Sequence, residues 1–387
     1  MSSPFDTMID RRGTLCEKYD FVEKYVGAAD VLPMWVADMD FATPDFILEA
    51  LRKRLEHPIL GYTEPGEGFY HAVTGWFARR HLWETQKEWY TFTPGVVTGL
   101  NLAIQAFSEE GDGVILQSPV YFPFFSAIKK NNRKLLDNQL VLKNGRYEID
   151  FDDLEAKAKE ATILLLCNPQ NPTGRVFTKW ELDRIAEIAE EHDLTIISDE
   201  IHCDIVYAPH RHIPIASLSE DTQNRTITLI APSKTFNVAG LNTSLAVIAD
   251  PERKKQFDKV CEQVHTGVPT IFGMVALEAA FTHGDAWVDE LLVYLKSTVD
   301  KVDAFLKAEV PRVKLIYPES TFLLWLDFRN LGLHPKELKA LMLKKAKLGF
   351  NEGRIFGPSG GGFMRMNIGT PWSNVEEALG RIANIIK

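Results

Sequence analysis

The 387-residue chain lacks several things that whole classes of protein need. No apolar run approaches the roughly 20 residues that span a bilayer, so no membrane segment is expected. Met1 to Arg12 contains no apolar core of the kind a secretory leader carries, and a cytoplasmic location is the simplest expectation. Cysteine is sparse. Cys16, Cys167, Cys203 and Cys261 lie far apart, without the spacing of a metal centre or a redox pair. His202-Cys203-Asp204 is contiguous, and adjacent side chains point apart, so it is not expected to bind a metal. Positive charge is in deficit, with 43 Lys and Arg against 53 Asp and Glu, and no basic stripe offsets it. A nucleic-acid partner is therefore not expected, because a phosphate backbone needs clustered cations. Repeats, low-complexity stretches and disordered linkers are missing too.

What is present is an ordinary globular composition, 45% hydrophobic and 25% charged, in a chain long enough for a large core. Val114-Ile115-Leu116-Gln117, Ile163 to Cys167, Leu194 to Ser198, Ile227 to Ala231 and Leu245-Ala246-Val247-Ile248 are short apolar runs. Trp180 to His192 reads as a helix between two of them. That alternation predicts an α/β fold with a mainly parallel sheet. After about Gly284 the pattern changes to a long helix, then strands at Val313 to Tyr317, Phe322 to Phe328 and Phe363 to Ile368, with helices at Pro335 to Lys347 and Asn374 to Ile386. This part reads as a smaller α+β unit.

Four stretches fall where such a sheet places ligands, at the carboxyl ends of its strands. Lys234, in Ala231-Pro232-Ser233-Lys234-Thr235-Phe236-Asn237, follows one buried run. Asp199, in Ile197-Ser198-Asp199-Glu200-Ile201-His202, follows another. An amine that forms a Schiff base and a carboxylate that keeps a pyridinium protonated are what pyridoxal 5′-phosphate (PLP) requires of a protein. Each residue has an ordinary alternative, a surface lysine and a helix N-cap aspartate. In Thr91-Phe92-Thr93-Pro94-Gly95-Val96-Val97-Thr98-Gly99 a strand breaks and passes into an apolar helix. The free N–H groups of Val96, Val97 and Thr98 would suit a phosphate, although a plain turn has the same pattern. Leu166-Cys167-Asn168-Pro169-Gln170-Asn171-Pro172-Thr173-Gly174 runs from a strand into a loop stiffened by two prolines, as an asparagine aimed at a ligand needs.

With Asn171-Pro172-Thr173-Gly174, Asp199 and Ser233-Lys234 in this order, essentially the whole chain resembles the fold-type-I PLP enzymes of the aminotransferase class I/II superfamily. Met34-Trp35-Val36-Ala37-Asp38-Met39-Asp40-Phe41, Ser198 to His202 and Ser233 to Leu241 resemble its cystathionine β-lyase branch. The resemblance implies a large PLP-binding domain over residues 46–284 and a small α+β domain built from 1–45 and 285–387. It implies that Lys234 is the covalent cofactor lysine and catalytic base, and that Asp199 pairs with the pyridine nitrogen. Asn171 would then donate to the phenolic oxygen, and Tyr121, in Ser118-Pro119-Val120-Tyr121-Phe122, would stack on the ring. Val96, Val97 and Ser233 would hold the phosphate, joined by Tyr62 from the other subunit of a homodimer. Arg365 would receive the substrate α-carboxylate, with Trp35, Val36 and Ala37 beside it. Arg365 and Asn367 share one strand face by alternation, and a guanidinium suits a carboxylate better than an ammonium does.

Departures from the wider pattern bear on the substrate. His202 stands where many transaminases carry a tyrosine, and is counted with the cofactor residues without an assigned role. Asn242 replaces a phosphate-binding arginine. No arginine occurs between Arg253 and Arg312, where dicarboxylate transaminases keep one for a distal carboxylate, so an aspartate aminotransferase is not expected. The implied activity is β-elimination from cystathionine, cystine or a related cysteine conjugate. Transamination of amino acids and a PLP-binding regulatory or interaction protein remain as alternatives.

Overall fold

The computed structural model describes residues 3–386. The apolar runs pair into a seven-stranded sheet ordered Tyr90–Thr93, Ser244–Val247, Thr226–Ile230, Thr195–Asp199, Ala161–Cys167, Gly113–Leu116, Lys134–Asp137. Within it the Ser244–Val247 strand is antiparallel to both neighbours and the other pairings are parallel. The central strands are apolar at consecutive positions because both faces are covered. Ile163 and Leu165 pack into one core with the Val96–Phe107 helix, whereas Leu164 and Leu166 pack into another with the Lys179–Glu191 helix. Each fully buried leucine contributes about 2 kcal/mol by leaving water.

A four-stranded antiparallel sheet follows, in the order Lys314–Ile316, Leu323–Asp327, Phe363–Asn367, Asn351–Glu352. The N-terminal segment joins this half of the chain: Leu32–Pro33 pairs with Leu348–Gly349, and Phe5, Met34 and Phe41 share a core with the long Asp285–Glu309 helix. That core also takes Ile205 and Tyr207, a few residues beyond Asp199.

The sequence-based elements and the structure differ in several places. The helix expected over 335–347 is α-helical only through Pro335–Ala340 and widens into π turns over Leu341–Ala346, ending at Lys347 with φ of +55°. The buried side chains Leu338, Met342 and Ala346, four apart, stay on the core side across that change. The Lys134–Asp137 strand and the Val141–Lys143/Arg146–Glu148 hairpin were not expected. Both are short and half-exposed, so neither has the apolar run that marks the central strands. No helix among the described residues is long and apolar enough to cross a membrane.

Candidate active site

The carboxyl ends of the central strands open onto a cavity of about 250 Å³. Each wall comes from a different strand end, which is why residues far apart in the chain meet there. Asp199 ends one strand, and Cys167 ends its neighbour directly opposite. Ala231, Ser233 and Lys234 follow the next strand, and Pro94 and Gly95 lead from a fourth into the Val96–Phe107 helix.

That helix begins at Gly95, whose φ of +111° is a conformation side-chain-bearing residues rarely adopt. No side chain caps it, so its first-turn amides face the cavity without a protein acceptor. Asn171 is held from behind. Arg175 anchors its loop, donating to both Glu181 oxygens at 2.8 and 2.7 Å and to Glu319 at 3.3 Å. Arg365 Nη1 donates to Asn171 Oδ1 at 2.9 Å, which leaves the Asn171 amide nitrogen for the cavity.

Lys234 Nζ donates to the Ala37 carbonyl at 2.7 Å. The loop bearing Ala37 is tied down on both sides. Asn237 accepts from Met39 N–H and donates to the carbonyls of Met39 and Phe41. Arg11 bridges Asp38 and Asp40, and the fully buried Lys18 donates to Asp40 at 2.7 Å.

Of the residues singled out from the sequence, Val96, Val97, Tyr121, Asn171, Asp199, His202, Ser233, Lys234 and Ala37 line the cavity. Arg365 does not. It is 2% exposed and stands one layer behind, its Nη2 donating to Trp35 O and Asn351 Oδ1, both at 2.7 Å. Trp35 and Val36 contribute carbonyls to this layer, Val36 accepting from Asn367, rather than wall surface. Tyr62 is fully exposed and lies outside the cavity of its own chain. Thr98, expected with Val96 and Val97 to offer a free N–H, lines the cavity too, and the walls also contain Cys167, Ile201 and Thr243, none of which sequence reasoning proposed. Cys167 was discoverable, since it alternates with Leu165 at the end of a strand already recognised. Thr243 follows Asn242, a left-handed residue at φ of +48°, and no local signal marks it.

The charges are unusual. Asp199 accepts one side-chain hydrogen bond, from Ile201 N–H at 3.1 Å, and burial pushes its carboxyl up to about 7. Burial, with Arg365 adding to it, lowers the Lys234 ammonium although Asp38 and Asp199 oppose this. His202 is pushed down to about 3 by burial and by the charges of Lys234 and Arg365, so it is neutral. Its Nδ1 is buried without a partner.

These shifts predict opposite pH dependences in cofactor-free protein. Between pH of about 4 and 7 the unfolded chain has lost the Asp199 proton that the fold still holds, so the Asp199 contribution to stability falls as pH rises. Between about 3 and 6.5 the unfolded chain protonates His202 and the fold does not, so that contribution rises with pH. The two nearly cancel. Asp199→Asn should uncouple them, gaining stability over unaltered protein steadily from about pH 4 to 7 and no further above it. Urea denaturation of both proteins at several pH values checks this, and a pH-independent difference refutes it.

A strand-end amine, a buried carboxylate and an uncapped helix terminus around one cavity match a recurrent cofactor-site design, and comparison with known proteins bears on which. Residues 29–382 match the family model described as aminotransferase class I and II. The cystathionine beta-lyase PatB of Bacillus subtilis is 44% identical over 98% of both chains. A PLP-bound putative aminotransferase from Clostridium difficile 630 superposes with a TM-score of 0.97 at 41% identity, covering 99% of each chain. A PLP-bound C-S lyase from Staphylococcus hominis superposes with a TM-score of 0.92 at 32% identity, over 100% of this chain and 98% of that one. With a family match over nearly its whole length, and the family's fold around the cavity, the chain belongs to the aminotransferase class I and II family.

Proposed function

We propose that the protein is a PLP-dependent carbon–sulfur β-lyase that cleaves cystathionine, cystine or a related cysteine conjugate to pyruvate, ammonia and a thiol. The observation that carries this is an Asp199 carboxylate without a cation partner facing the Lys234 amine across a cavity, in a chain 44% identical to a named cystathionine beta-lyase. The residues present fit the cofactor. Asp199 lacks a cation of the kind a pyridinium provides, the first helical turn lacks an anion, and Asn171 offers an unused amide donor.

On this reading Asp199 holds the ring nitrogen, Asn171 faces the phenolic oxygen and Tyr121 stacks on the ring. Val96, Val97 and Ser233 hold the phosphate, His202 belongs to the same wall, and Lys234 carries the covalent link. Bound PLP supplies an electron sink conjugated to the substrate Cα. Once the substrate amine has displaced it from that link, the freed Lys234 Nζ would take the Cα proton, for which burial has already made its ammonium a weaker competitor. Loss of the β-thiolate then leaves an unsaturated fragment that hydrolyses to pyruvate and ammonia. Arg365 takes the substrate α-carboxylate in place of the Trp35 carbonyl it now engages, with Val36 and Ala37 alongside. Residues 46–284 form the cofactor-binding unit, 1–45 with 285–387 form the smaller one, and the enzyme works in the cytoplasm.

Cystathionine without any keto acid is the decisive substrate. Pyruvate, ammonia and homocysteine should accumulate over many turnovers. The similarity to a putative aminotransferase favours a second reading. It predicts a single turnover that resumes only when a keto acid is added, and that result would replace the lyase assignment.

A homodimer completes the site. Tyr62 is fully exposed, and Ile59, Leu60 and Val268 are more than half exposed, with Tyr62 and Val268 lining one groove. Apolar surface of this kind is usual where a partner docks. Tyr62 would reach the phosphate of the other protomer. The protein should sediment as a dimer, and Tyr62→Phe should lose PLP faster on dialysis. A monomer fully active at low concentration excludes this arrangement.

A further inference from the structure

Behind the cavity wall lies a second polar contact between the two segments that carry its opposed charges. The strand that Asp199 ends passes into a turn that reaches Asp204 five residues later, and Thr235 directly follows Lys234. In each segment one side chain lines the cavity while the other is buried behind it, with Asp204 at 6% and Thr235 at 0% exposure. The Thr235 hydroxyl donates to Asp204 Oδ2 at 2.8 Å. The other carboxylate oxygen accepts from His81 Nε2 at 2.8 Å and Trp76 Nε1 at 3.0 Å.

His81 and Trp76 both belong to the Glu67–His81 helix, and Trp76 is stacked on Phe281 with ring centroids 5.1 Å apart. The carboxylate is therefore held by a rigid element that owes nothing to the cavity. Burial alone would raise the Asp204 carboxyl, but the hydrogen bond and charge of His81, with the Thr235 and Trp76 donors, hold it below its usual range.

We propose that Asp204 and Thr235 are positioning residues, a register lock between the Asp199 and Lys234 segments that sets where the Lys234 amine stands relative to the Asp199 carboxylate. The inference rests on the proposed cofactor roles of Lys234 and Asp199. Neither positioning residue touches the reacting atoms. A hydroxyl on a fixed carboxylate defines both distance and direction, whereas the apolar packing around it defines only volume. Without the lock, Lys234 keeps its amine and its cavity but loses its fixed approach, and misplacement of about 1 Å costs about a hundredfold in rate.

Thr235→Val is nearly isosteric and leaves Asp204 its two helix donors, so the fold should survive. Thr235→Ser restores the hydroxyl. Ser219→Ala removes a helix cap with no residue of that helix on the cavity wall, and reports a purely structural loss. Beside KM, three quantities are read in each protein: kcat, the pH midpoint of the bound cofactor's visible band, and the rate at which PLP-stripped protein captures PLP on Lys234, trapped by borohydride and located by mass spectrometry. In Thr235→Val, kcat should fall about ten- to a hundredfold with KM nearly unchanged. Its band midpoint should move and its capture should slow, and Thr235→Ser should return all three toward the unaltered protein. If Thr235→Val matches Ser219→Ala, losing stability while all three quantities hold, the inference is overturned alone. If the unaltered protein gives no adduct on Lys234, the cofactor reading falls and the inference with it.

Discussion

Replacing Lys234 by alanine should abolish covalent PLP capture and reduce lyase turnover by at least about a thousandfold, the upper range expected for loss of a positioned base. The site offers no substitute amine. Among the described residues lining the cavity, Lys234 is the only lysine, and Arg365 stands behind the wall. The variant loses the hydrogen bond to the Ala37 carbonyl and the positive charge that now opposes the upward shift of Asp199. The Asn237 and Arg11 ties on the Ala37 loop remain, so the fold should persist while chemistry does not. Borohydride reduction of unaltered holoenzyme should fix the cofactor to Lys234 in a peptide identified by mass spectrometry. An adduct on any other lysine would falsify the assignment.

Arg365→Lys should be the second severe change, although it keeps the charge. Three acceptors converge on one guanidinium: Asn171 Oδ1 on Nη1, and Trp35 O and Asn351 Oδ1 on Nη2. Its charge also stands over the Phe356 ring, 4.9 Å from the centroid. An ammonium is a single point and cannot reproduce that planar fork. Each buried acceptor left unpaired costs about 1–3 kcal/mol, and an Asn171 amide released from Arg365 is free to turn its oxygen toward the cavity. With the proposed hold on a substrate carboxylate also lost, kcat/KM should fall by about a hundredfold or more, because each 1.4 kcal/mol is tenfold. Burial already lowers the Arg365 guanidinium to about 10, and a lysine there, starting lower, would hold its proton less well. Steady-state kinetics beside thermal unfolding separates the effects. A kcat/KM within threefold of the unaltered enzyme would show that Arg365 neither anchors the substrate nor orients Asn171.

The two halves of the site were unequally legible. The strands before Asp199 and Lys234 are buried on both faces, so their apolar runs stand out and their carboxyl ends can be located from local pattern alone. The break at Pro94-Gly95 before an apolar helix was a weaker signal, shared with a plain turn, and the structure adds that no side chain caps that helix. Arg365 and Asn367 sharing a face also follows from alternation, and both indeed reach the 35–38 loop. Nothing local says that this loop lies over Arg365, because the contact closes a separation of 330 residues.

The sequence by itself therefore determined the α/β class, the parallel order of strands and helices, the family, and which residues end the strands, since all of these depend on periodicity and short motifs. Tertiary structure alone decided which of those residues share a wall and which stand behind it. Arg365 is withdrawn into a layer of carbonyls, Tyr62 is turned away from its own cavity, and Asp204 is buried against a helix that begins 137 residues earlier. The physical reason is that hydrogen bonds between distant segments and the burial that shifts Asp199, His202 and Lys234 come into being only when the strand ends are brought together.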